Sequence, residues 1–240
     1  MNTVLPWRRL KQRSADLELM DGPGLGDASL QARVLADLAR VNRLTRTHAP
    51  VLSFLRLAWA RVPPGQPVSV LDVGSGQGDL LRAVWHLAQQ QGRPVSLIGL
   101  DLHPDSTAAA RAAAPPAMPV RWLTGDVLLH APGAVDCIVN SQLAHHLSDA
   151  QIVALLRWLQ RHARAGWCIA DLRRHWLPYL GFRWLARAAG WHRVVRLDGT
   201  LSIARACTPA EWRVLLARAG VEARVERHFP FRLTVERRVE

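Results

Sequence analysis

Short apolar runs alternate with amphipathic stretches between residues 68 and 170. The apolar runs are candidate strands at residues 68–73, 95–100, 120–123, 135–139 and 167–170. Between most of them the sequence predicts helices, amphipathic over 79–91, alanine-rich over 105–114 and a third over 149–162. Strands that alternate with helices favour a parallel sheet covered on both faces. The pattern therefore predicts an α/β fold, whose ligands would bind beyond the carboxyl ends of the strands.

The two ends of the chain depart from this alternation. Residues 1–27 have turn-forming residues and little periodicity, whereas 29–41 and 50–61 are predicted helices. Pro63-Pro64-Gly65 ends the second of them, so residues 1–65 are interpreted as a lead-in and helical cap, and 66–240 as the main domain. After a predicted helix over 208–219, residues 221–227 and 231–237 are typical of an antiparallel hairpin that turns near Pro230.

Composition narrows the class of protein. The 240 residues are 49% hydrophobic, enough for one full-sized core. No apolar run approaches the ~18 residues of a membrane span, and no signal peptide is recognised. Cys137, Cys168 and Cys207 have neither metal-site nor disulfide spacing, which favours buried thiols in a reducing compartment. We therefore expect a cytoplasmic protein, with at most a peripheral contact at a membrane surface.

The chain is strongly basic. It has 31 basic and 19 acidic residues, a formal net charge of +12, and Lys11 is its only lysine. Such a balance is compatible with nucleic acid, anionic membranes or acidic substrates. However, the arginines are spread through every segment and form no known RNA-binding module, so coding bias is the favoured explanation. No nucleic-acid partner is expected.

The most specific motif joins the first predicted strand to the first helix of the main domain. It reads LDVGSGQGDLL, with Asp72 before the turn and glycines at 74, 76 and 78. Glycines let the backbone approach a ligand closely, and a helix N-terminus offers free N–H groups. The dinucleotide fingerprint G-x-G-x-x-G would require glycine at Asp79. The spacing and the acid therefore favour a ligand that carries positive charge over a pyrophosphate.

This stretch resembles motif I of class I S-adenosylmethionine (SAM) dependent methyltransferases. The resemblance covers residues 66–171 well and the tail loosely. It implies a Rossmann-like fold with SAM as cofactor, a mostly parallel twisted sheet, a C-terminal antiparallel hairpin and a helical N-terminal cap. The cofactor residues it implies begin with Asp72, Gly74, Gly76 and Gly78 of motif I.

Later strand ends supply the other implied cofactor contacts. Asp101 ends the second strand, is followed by Leu102, and is placed to accept both ribose hydroxyls. Asp126 and Val127 follow the third strand where the family binds adenine, and Asn140 ends the fourth beside the methionine end. Because NAD also has a ribose, the presence of Asp101 does not distinguish a SAM site from an NAD site.

The candidate catalytic residues are His145 and His146, which follow the fourth strand. An imidazole with a pKa near neutrality suits a general base for a hydroxyl proton; a packing role is the alternative for each histidine. A quinone O-methyltransferase branch has Glu-x-x-Glu-His here and binds a metal. This chain has Gln142, His145 and His146 instead, which argues against magnesium. Zinc would lack further evident ligands, so no metal is expected.

Residues 172–206 interleave arginine with tryptophan and are expected to form a substrate-covering helical insertion. This composition predicts a small aromatic acceptor of phenol, quinone or polyketide type, and one form of the hypothesis has the acceptor linked to a lipid. The alternative is that residues 172–206 form ordinary helices with their tryptophans in the core. The leading hypothesis is methyl transfer to oxygen or carbon. An NAD-dependent oxidoreductase, a nucleic-acid methyltransferase and a non-catalytic scaffold are kept as alternatives, and the oligomeric state is left open.

Overall fold

The computed structural model describes residues 10–19, 33–34, 37–38, 40–42, 44–133 and 135–239. Its strands are β1 (Val68–Val73), β2 (Val95–Asp101), β3 (Val120–Thr124), β4 (Val135–Ser141), β5 (Ala163–Leu172), β6 (Arg224–His228) and β7 (Arg232–Arg238). Its helices include α1 (Ala49–Trp59), α2 (Asp79–Gln90), α3 (Pro104–Ala113), α4 (Asp149–His162), α5 (Trp176–Ala188), α6 (Arg193–Arg205) and α7 (Pro209–Ala219). Two short 3-10 turns lie at Val127–Leu129 and Ala144–His146.

The strands form one seven-stranded sheet in the order β3-β2-β1-β4-β5-β7-β6. The first five strands are parallel, and β7 runs antiparallel to both β5 and β6. The predicted α/β fold with a C-terminal antiparallel pair is confirmed. The strand order reverses between β1 and β4, so the carboxyl ends of these two strands border the crevice where such sheets bind ligands.

Alternating side chains of the strands build a core on each face of the sheet. In β1, Val68 and Val70 join a cluster with α1 and α2, whereas Leu71 and Val73 join one with α4 and α7. Cys137 and Cys168 lie in the first cluster and Cys207 in the second, all as buried free thiols. The short apolar runs of the sequence thus supply side chains to both faces of the sheet.

Helix α1 packs directly on one face of the sheet. It was predicted over 50–61 as part of a cap, and its buried face, which includes Phe54, Leu55 and Trp59, packs against β4, β5, β7 and α2. Most of the predicted helix 29–41 lies outside the described residues, although the described residues between 33 and 44 are helical. The division at residue 65 stays a prediction.

Helices α5 and α6 stand apart from the two main cores. They pack on each other, and they bury small clusters of their own, one around Trp191 and one around Tyr179. Within the described residues, no helix combines the length and apolar character needed to cross a bilayer.

Candidate functional site

The motif I loop turns sharply after β1. Gly74 and Gly76 have positive φ angles of 70° and 50°, and the backbone N–H of Gly76 donates to Asp101 Oδ2 at 2.7 Å. A Cβ built on Gly76 would meet no protein atom within 4 Å, whereas one on Gly74 would lie 3.0 Å from Leu143 Cδ1. The space beside Gly76 is therefore open to a ligand, and Leu143 lies close to the loop at Gly74.

Gly78 is required for a different reason. Its φ is 73°, and an added Cβ would lie only 2.3 Å from Trp122 Cη2. The indole of Trp122 is buried against the end of the loop. Packing within the protein is therefore sufficient to explain the third glycine, and its predicted contact with the cofactor stays a prediction.

The buried polar side chains at the switch point that lack partners among the described residues include Asp72 and Asn140. Asp72, only 2% exposed, has an unpartnered Oδ1, and Asn140 has neither its amide N–H₂ nor its carbonyl bonded. Burial, followed by the charges of Asp79 and Asp101, holds the pKa of Asp72 well above its usual range. Buried polar groups without partners are rare and costly. A cationic ligand with hydrogen-bonding groups would satisfy both side chains.

The remaining predicted cofactor residues lie along the same edge of the sheet. Asp101, at the end of β2, accepts from the N–H groups of Gly76 and His103, and Leu102 beside it is exposed. Asp126 is exposed and accepts from Leu128 N at 2.9 Å, which caps the short turn that begins at Val127. The sheet thus places these residues in one row, and their contacts with a cofactor stay predictions.

Asp79, which replaces the third glycine of a dinucleotide fingerprint, ties the loop to the N-terminal region. Its Oδ2 accepts from Asn42 Nδ2 at 3.2 Å and lies 2.9 Å from His48 Nε2. Burial alone would raise the pKa of Asp79, but the hydrogen bond and charge of His48 outweigh it and lower that pKa. The acid therefore anchors the segment that precedes α1 to the start of α2.

A second polar chain links the same segment to the end of β4. Gln142, with a positive φ of 61°, donates to Asn42 Oδ1 and accepts from the Arg232 guanidinium. Arg232 also donates to the hydroxyls of Thr45 and Thr47, and burial lowers its pKa to about 10. Gln142 is thus committed to structural hydrogen bonds.

His145 forms a buried pair with Asp171. The imidazole is 4% exposed, and its Nδ1 lies 2.7 Å from Asp171 Oδ1, while its backbone N–H donates to Asp171 Oδ2 at 2.8 Å. Asp171 is near the end of β5, next to β4, so neighbouring strand ends bring the two residues together. The carboxylate orients the ring and directs Nε2 away from itself.

The electrostatic environment of this pair favours a protonated imidazole. Burial would lower the pKa of His145, but the charge and hydrogen bond of Asp171, with the charge of Glu18, outweigh it and raise that pKa. Burial conversely opposes ionisation of Asp171, yet His145 keeps the pKa of that carboxyl below its usual range. His145 can therefore accept a proton at Nε2 and hold it.

Glu18 and Arg205 complete the surroundings of His145. Glu18 Oε1 lies 3.8 Å from His145 Nε2 and accepts from the Ser202 hydroxyl at 2.8 Å. The Arg205 guanidinium donates to the backbone carbonyls of His145, His146 and Asp16. Helix α6 thus holds both the N-terminal segment and the histidine turn in place.

His146 lies against His145, with ring centroids 4.2 Å apart and planes tilted by 38°. Ligand atoms of Glu18, His145 and His146 all lie within 4.8 Å of one another, a grouping that could hold a divalent cation. Glu18 is thus a third candidate ligand, which no sequence pattern had marked as a partner of the two histidines. The expected absence of a metal therefore stays a prediction that requires a direct test.

The tryptophans of residues 172–206 do not converge on this centre. Trp176 and Trp184 are 51% and 76% exposed, and Trp191 is buried in the small cluster with Val34, Ala186 and Val194. The part of the insertion that contacts the histidine centre is α6, through Ser202 and Arg205.

Sequence reasoning missed Asp171, Glu18 and Arg205. A signal for Asp171 was present, since an acid that follows the apolar run of β5 lies at the ligand-binding edge of a parallel sheet. No local pattern marked Glu18, which lies in a segment with little periodicity, or Arg205, one of many arginines in the chain.

Comparisons with known proteins agree with this architecture. Residues 70–166 match the family model described as a methyltransferase domain. The chain is also similar to acetylserotonin O-methyltransferase of Mus musculus, with 32% identity over 161 residues. That alignment covers 63% of this chain and only 38% of the mouse protein, so the chain spans well under half of its curated relative.

Solved structures share the fold at low sequence identity. The plantazolicin methyltransferase BamL, solved with a triazolic desmethylPZN analog and S-adenosylhomocysteine (SAH), has a TM-score of 0.62 and 17% identity, over 83% of this chain and 73% of its own. The magnesium protoporphyrin IX methyltransferase of Synechocystis PCC 6803, with bound SAH, has a TM-score of 0.53 and 18% identity, over 90% and 89% of the two chains. The class I methyltransferase fold expected from motif I is confirmed.

Proposed function

We propose that this chain, whose residues 70–166 match a methyltransferase domain within a class I methyltransferase fold, transfers a methyl group from SAM to a small-molecule acceptor. The observation that carries the proposal is the pair of buried, unpartnered side chains at the switch point, Asp72 and Asn140. The methionine part of SAM has an ammonium, a carboxylate and a sulfonium. These groups suit the carboxyl of Asp72, whose pKa is raised, and the unbonded amide of Asn140. The named neighbours, which were solved with SAH, support this assignment.

When bound, SAM supplies a methyl group on an already activated sulfonium leaving group. The protein's own contribution is to bind, orient and desolvate the reactants. Asp72 and Asn140 would hold the methionine end, Asp101 the ribose, and Asp126 with the Val127 N–H the adenine. The open space beside Gly76 leaves room for the cofactor at the loop.

His145 is proposed as the general base for an oxygen acceptor. On methylation, the acceptor oxygen would pass its proton to His145 Nε2, while bound SAM would supply the methyl group and its sulfur would keep the carbon–sulfur electron pair. Asp171 keeps Nδ1 protonated and stabilises the imidazolium, and Glu18, 3.8 Å from Nε2, adds to that stabilisation. A buried base with this support suits a hydroxyl acceptor, whose proton must be removed. The similarity to an enzyme named as an O-methyltransferase agrees.

The acceptor is proposed to be a phenol or a related small aromatic compound. It would approach the histidine centre beneath the N-terminal segment and α6, because Glu18, Ser202 and Arg205 form that boundary. The tryptophans of residues 172–206 do not support this assignment, because they do not converge on the histidine centre. The support is the requirement of an acidic hydroxyl that an imidazole can deprotonate.

Calorimetric titration with SAH and, separately, with NAD tests the cofactor assignment. We expect micromolar binding of SAH and no heat with NAD; the reverse would refute the proposal. Methyl-labelled SAM incubated with a panel of simple phenols and carbon nucleophiles then tests the acceptor class. Label transferred only to carbon would refute the oxygen assignment while leaving methyl transfer intact. Steeply salt-dependent binding of RNA would favour the nucleic-acid alternative.

A further inference from the structure

One side of helix α5 is apolar and faces solvent. Trp176, Leu180 and Trp184 follow one another at four-residue steps along one side of the helix, where the two tryptophans are exposed and Leu180 is half-buried against the Tyr179 cluster. Leu177 and Leu185 broaden this face and are 45% and 40% exposed, while Trp184 is 76% exposed. The opposite side of α5 supplies the buried contacts, through Tyr179 and Ala186. Solvent-exposed tryptophan and leucine on one helix face are unusual for a surface that has no partner.

Cations border this apolar face. Arg183 and Arg187, one turn apart on α5, line a groove with a volume of about 1120 Å³ that α5 and α6 form with the N-terminal segment. Arg193 and Arg196 of α6 and Lys11 line the same groove. Within the described residues, these four arginines have no ion pair with a carboxylate.

The acids of the groove do not compensate this charge. Among the described residues that line the groove, the acids are Asp16 and Asp198, whereas the cations are Lys11, Arg13, Arg183, Arg187, Arg193 and Arg196. The groove therefore has a net positive potential at its rim. Leu17, Leu19 and Leu197, which also line it, are exposed and add apolar surface next to the cations.

We propose that the outer face of α5, with the arginine rim of the adjoining groove, binds the surface of an anionic membrane. Tryptophan is favoured at the level of lipid headgroups, where its ring meets hydrocarbon and its N–H meets water. A helix with tryptophan and leucine on one face and arginine beside it lies in the plane of such an interface. The arginines would contact lipid phosphates and the indoles would enter the headgroup region.

The charge pattern favours a membrane over a second copy of this chain. A two-fold dimer through this face would bring the same patch together from both copies, and with it Arg183, Arg187 and their counterparts. Arginines that face one another across an interface, without carboxylates between them, repel each other and oppose such a dimer. An anionic bilayer instead supplies the missing negative charge and an apolar phase together.

Vesicle cosedimentation with the full chain tests the proposal. We expect binding to vesicles with 40% phosphatidylglycerol at about 50 mM salt, weaker binding at 300 mM salt because the charges are screened, and little binding to pure phosphatidylcholine. Vesicles that contain brominated acyl chains should quench part of the tryptophan fluorescence. The W176S/W184S variant should lose most of that quenching.

Two double variants separate the effect of the rim arginines from that of the overall charge of the chain. R183Q/R187Q should weaken binding to phosphatidylglycerol vesicles about 30-fold, the effect of two cations near an anionic surface. The matched control is R111Q/R213Q, which removes the same charge from exposed positions on α3 and α7. All four residues lie outside the proposed catalytic and cofactor machinery, so SAH binding should be unchanged and reports that each variant is folded.

Three results would overturn the proposal. The first is no binding to phosphatidylglycerol vesicles at low salt. The second is equal weakening by R183Q/R187Q and R111Q/R213Q, which would show that only the overall charge of the chain matters. The third is a dimer, seen by analytical ultracentrifugation, that W176S/W184S dissociates, because the apolar face would then belong to a second copy.

Discussion

The donor side and the acceptor side of the proposed active site are built in opposite ways. On the donor side, Asp72, Gly76 and Asp101 lie within 29 residues of one another, on two adjacent strand ends and the loop between them. On the acceptor side, Glu18, His145, Asp171 and Arg205 come from four separate parts of the chain.

This difference determines how each side can fail. The donor side depends on backbone conformation, since its loop needs positive φ at glycine and open space above Gly76. The acceptor side depends on side-chain pairing in a buried place, where each carboxylate and imidazole sets the protonation of the other. Substitutions on the donor side should therefore affect binding of the cofactor, and those on the acceptor side should affect the rate of the reaction.

The largest expected effect is the loss of cofactor binding in Gly76→Val. A β-branched side chain at a φ of 50° strains the loop, and it fills the space that is open to the ligand. Calorimetry should detect no SAH binding. Gly92→Val is the matched control, because Gly92 also has a positive φ, of 57°, and open space around it, but lies before β2. If both variants bind SAH normally, the cofactor is placed wrongly.

The next effect belongs to the acceptor side. His145→Gln should lower kcat by about 10²- to 10⁴-fold, the contribution of a general base, and leave the Kd for SAH unchanged. His86→Gln, at an exposed position on α2, is the control and should have no effect. Unchanged turnover in His145→Gln would mean that the imidazole has only a packing role.

Asp101→Ala should weaken SAH binding by ~2–3 kcal/mol, as expected when hydrogen bonds to a charged group are lost without replacement. This carboxylate also accepts from the N–H groups of Gly76 and His103, so the loop itself loses support. Asp105→Ala, four residues later and exposed, controls for the loss of charge. An equal change in both variants would show that only long-range charge is involved.

A smaller effect concerns pH. The pKa of His145 is raised above its ordinary 6.5 in the folded protein, so the neutral base forms, and turnover rises, with a midpoint above pH 6.5. The same pair stabilises the fold fully between pH 3.8 and 6.5; the contribution is lost as the pH rises through the raised pKa of His145 and as it falls through the lowered pKa of Asp171. In Asp171→Asn the midpoint of turnover should move to lower pH. A midpoint that stays in place would show that Asp171 does not set this pKa.

The smallest expected effect is that of chelators, which should leave turnover intact. Glu18 is the one carboxylate in its grouping with His145 and His146, and magnesium prefers several oxygen ligands. The measurement is methyl transfer before and after dialysis against EDTA. If EDTA abolishes turnover and zinc restores it, His145 is a metal ligand and not a general base. The acceptor side would then be organised by a bound ion.

Much of the donor side could be predicted from sequence because its determinants are local. Glycine spacing reports the backbone conformation, and an acid directly after an apolar run reports a strand end. The extent of β5 was underestimated, at 167–170 against Ala163–Leu172, because pairing with β4 and β7 extends a strand beyond its apolar centre. The periodicity of residues 172–206 did not reveal that Trp176 and Trp184 face solvent, and the covering role of this segment stays a prediction.

By itself, the sequence determined the α/β fold, the order of its elements, the motif I loop and the row of acids along the strand ends. These follow from periodicity and from the conformational limits of glycine, which act over a few residues. Only the tertiary structure decided that α1 packs on the sheet, that Asp79 anchors the N-terminal segment, and that Glu18 and Asp171 flank His145. The physical reason is that a buried charge must find its partner in space, and the distance between partners along the chain leaves no local pattern.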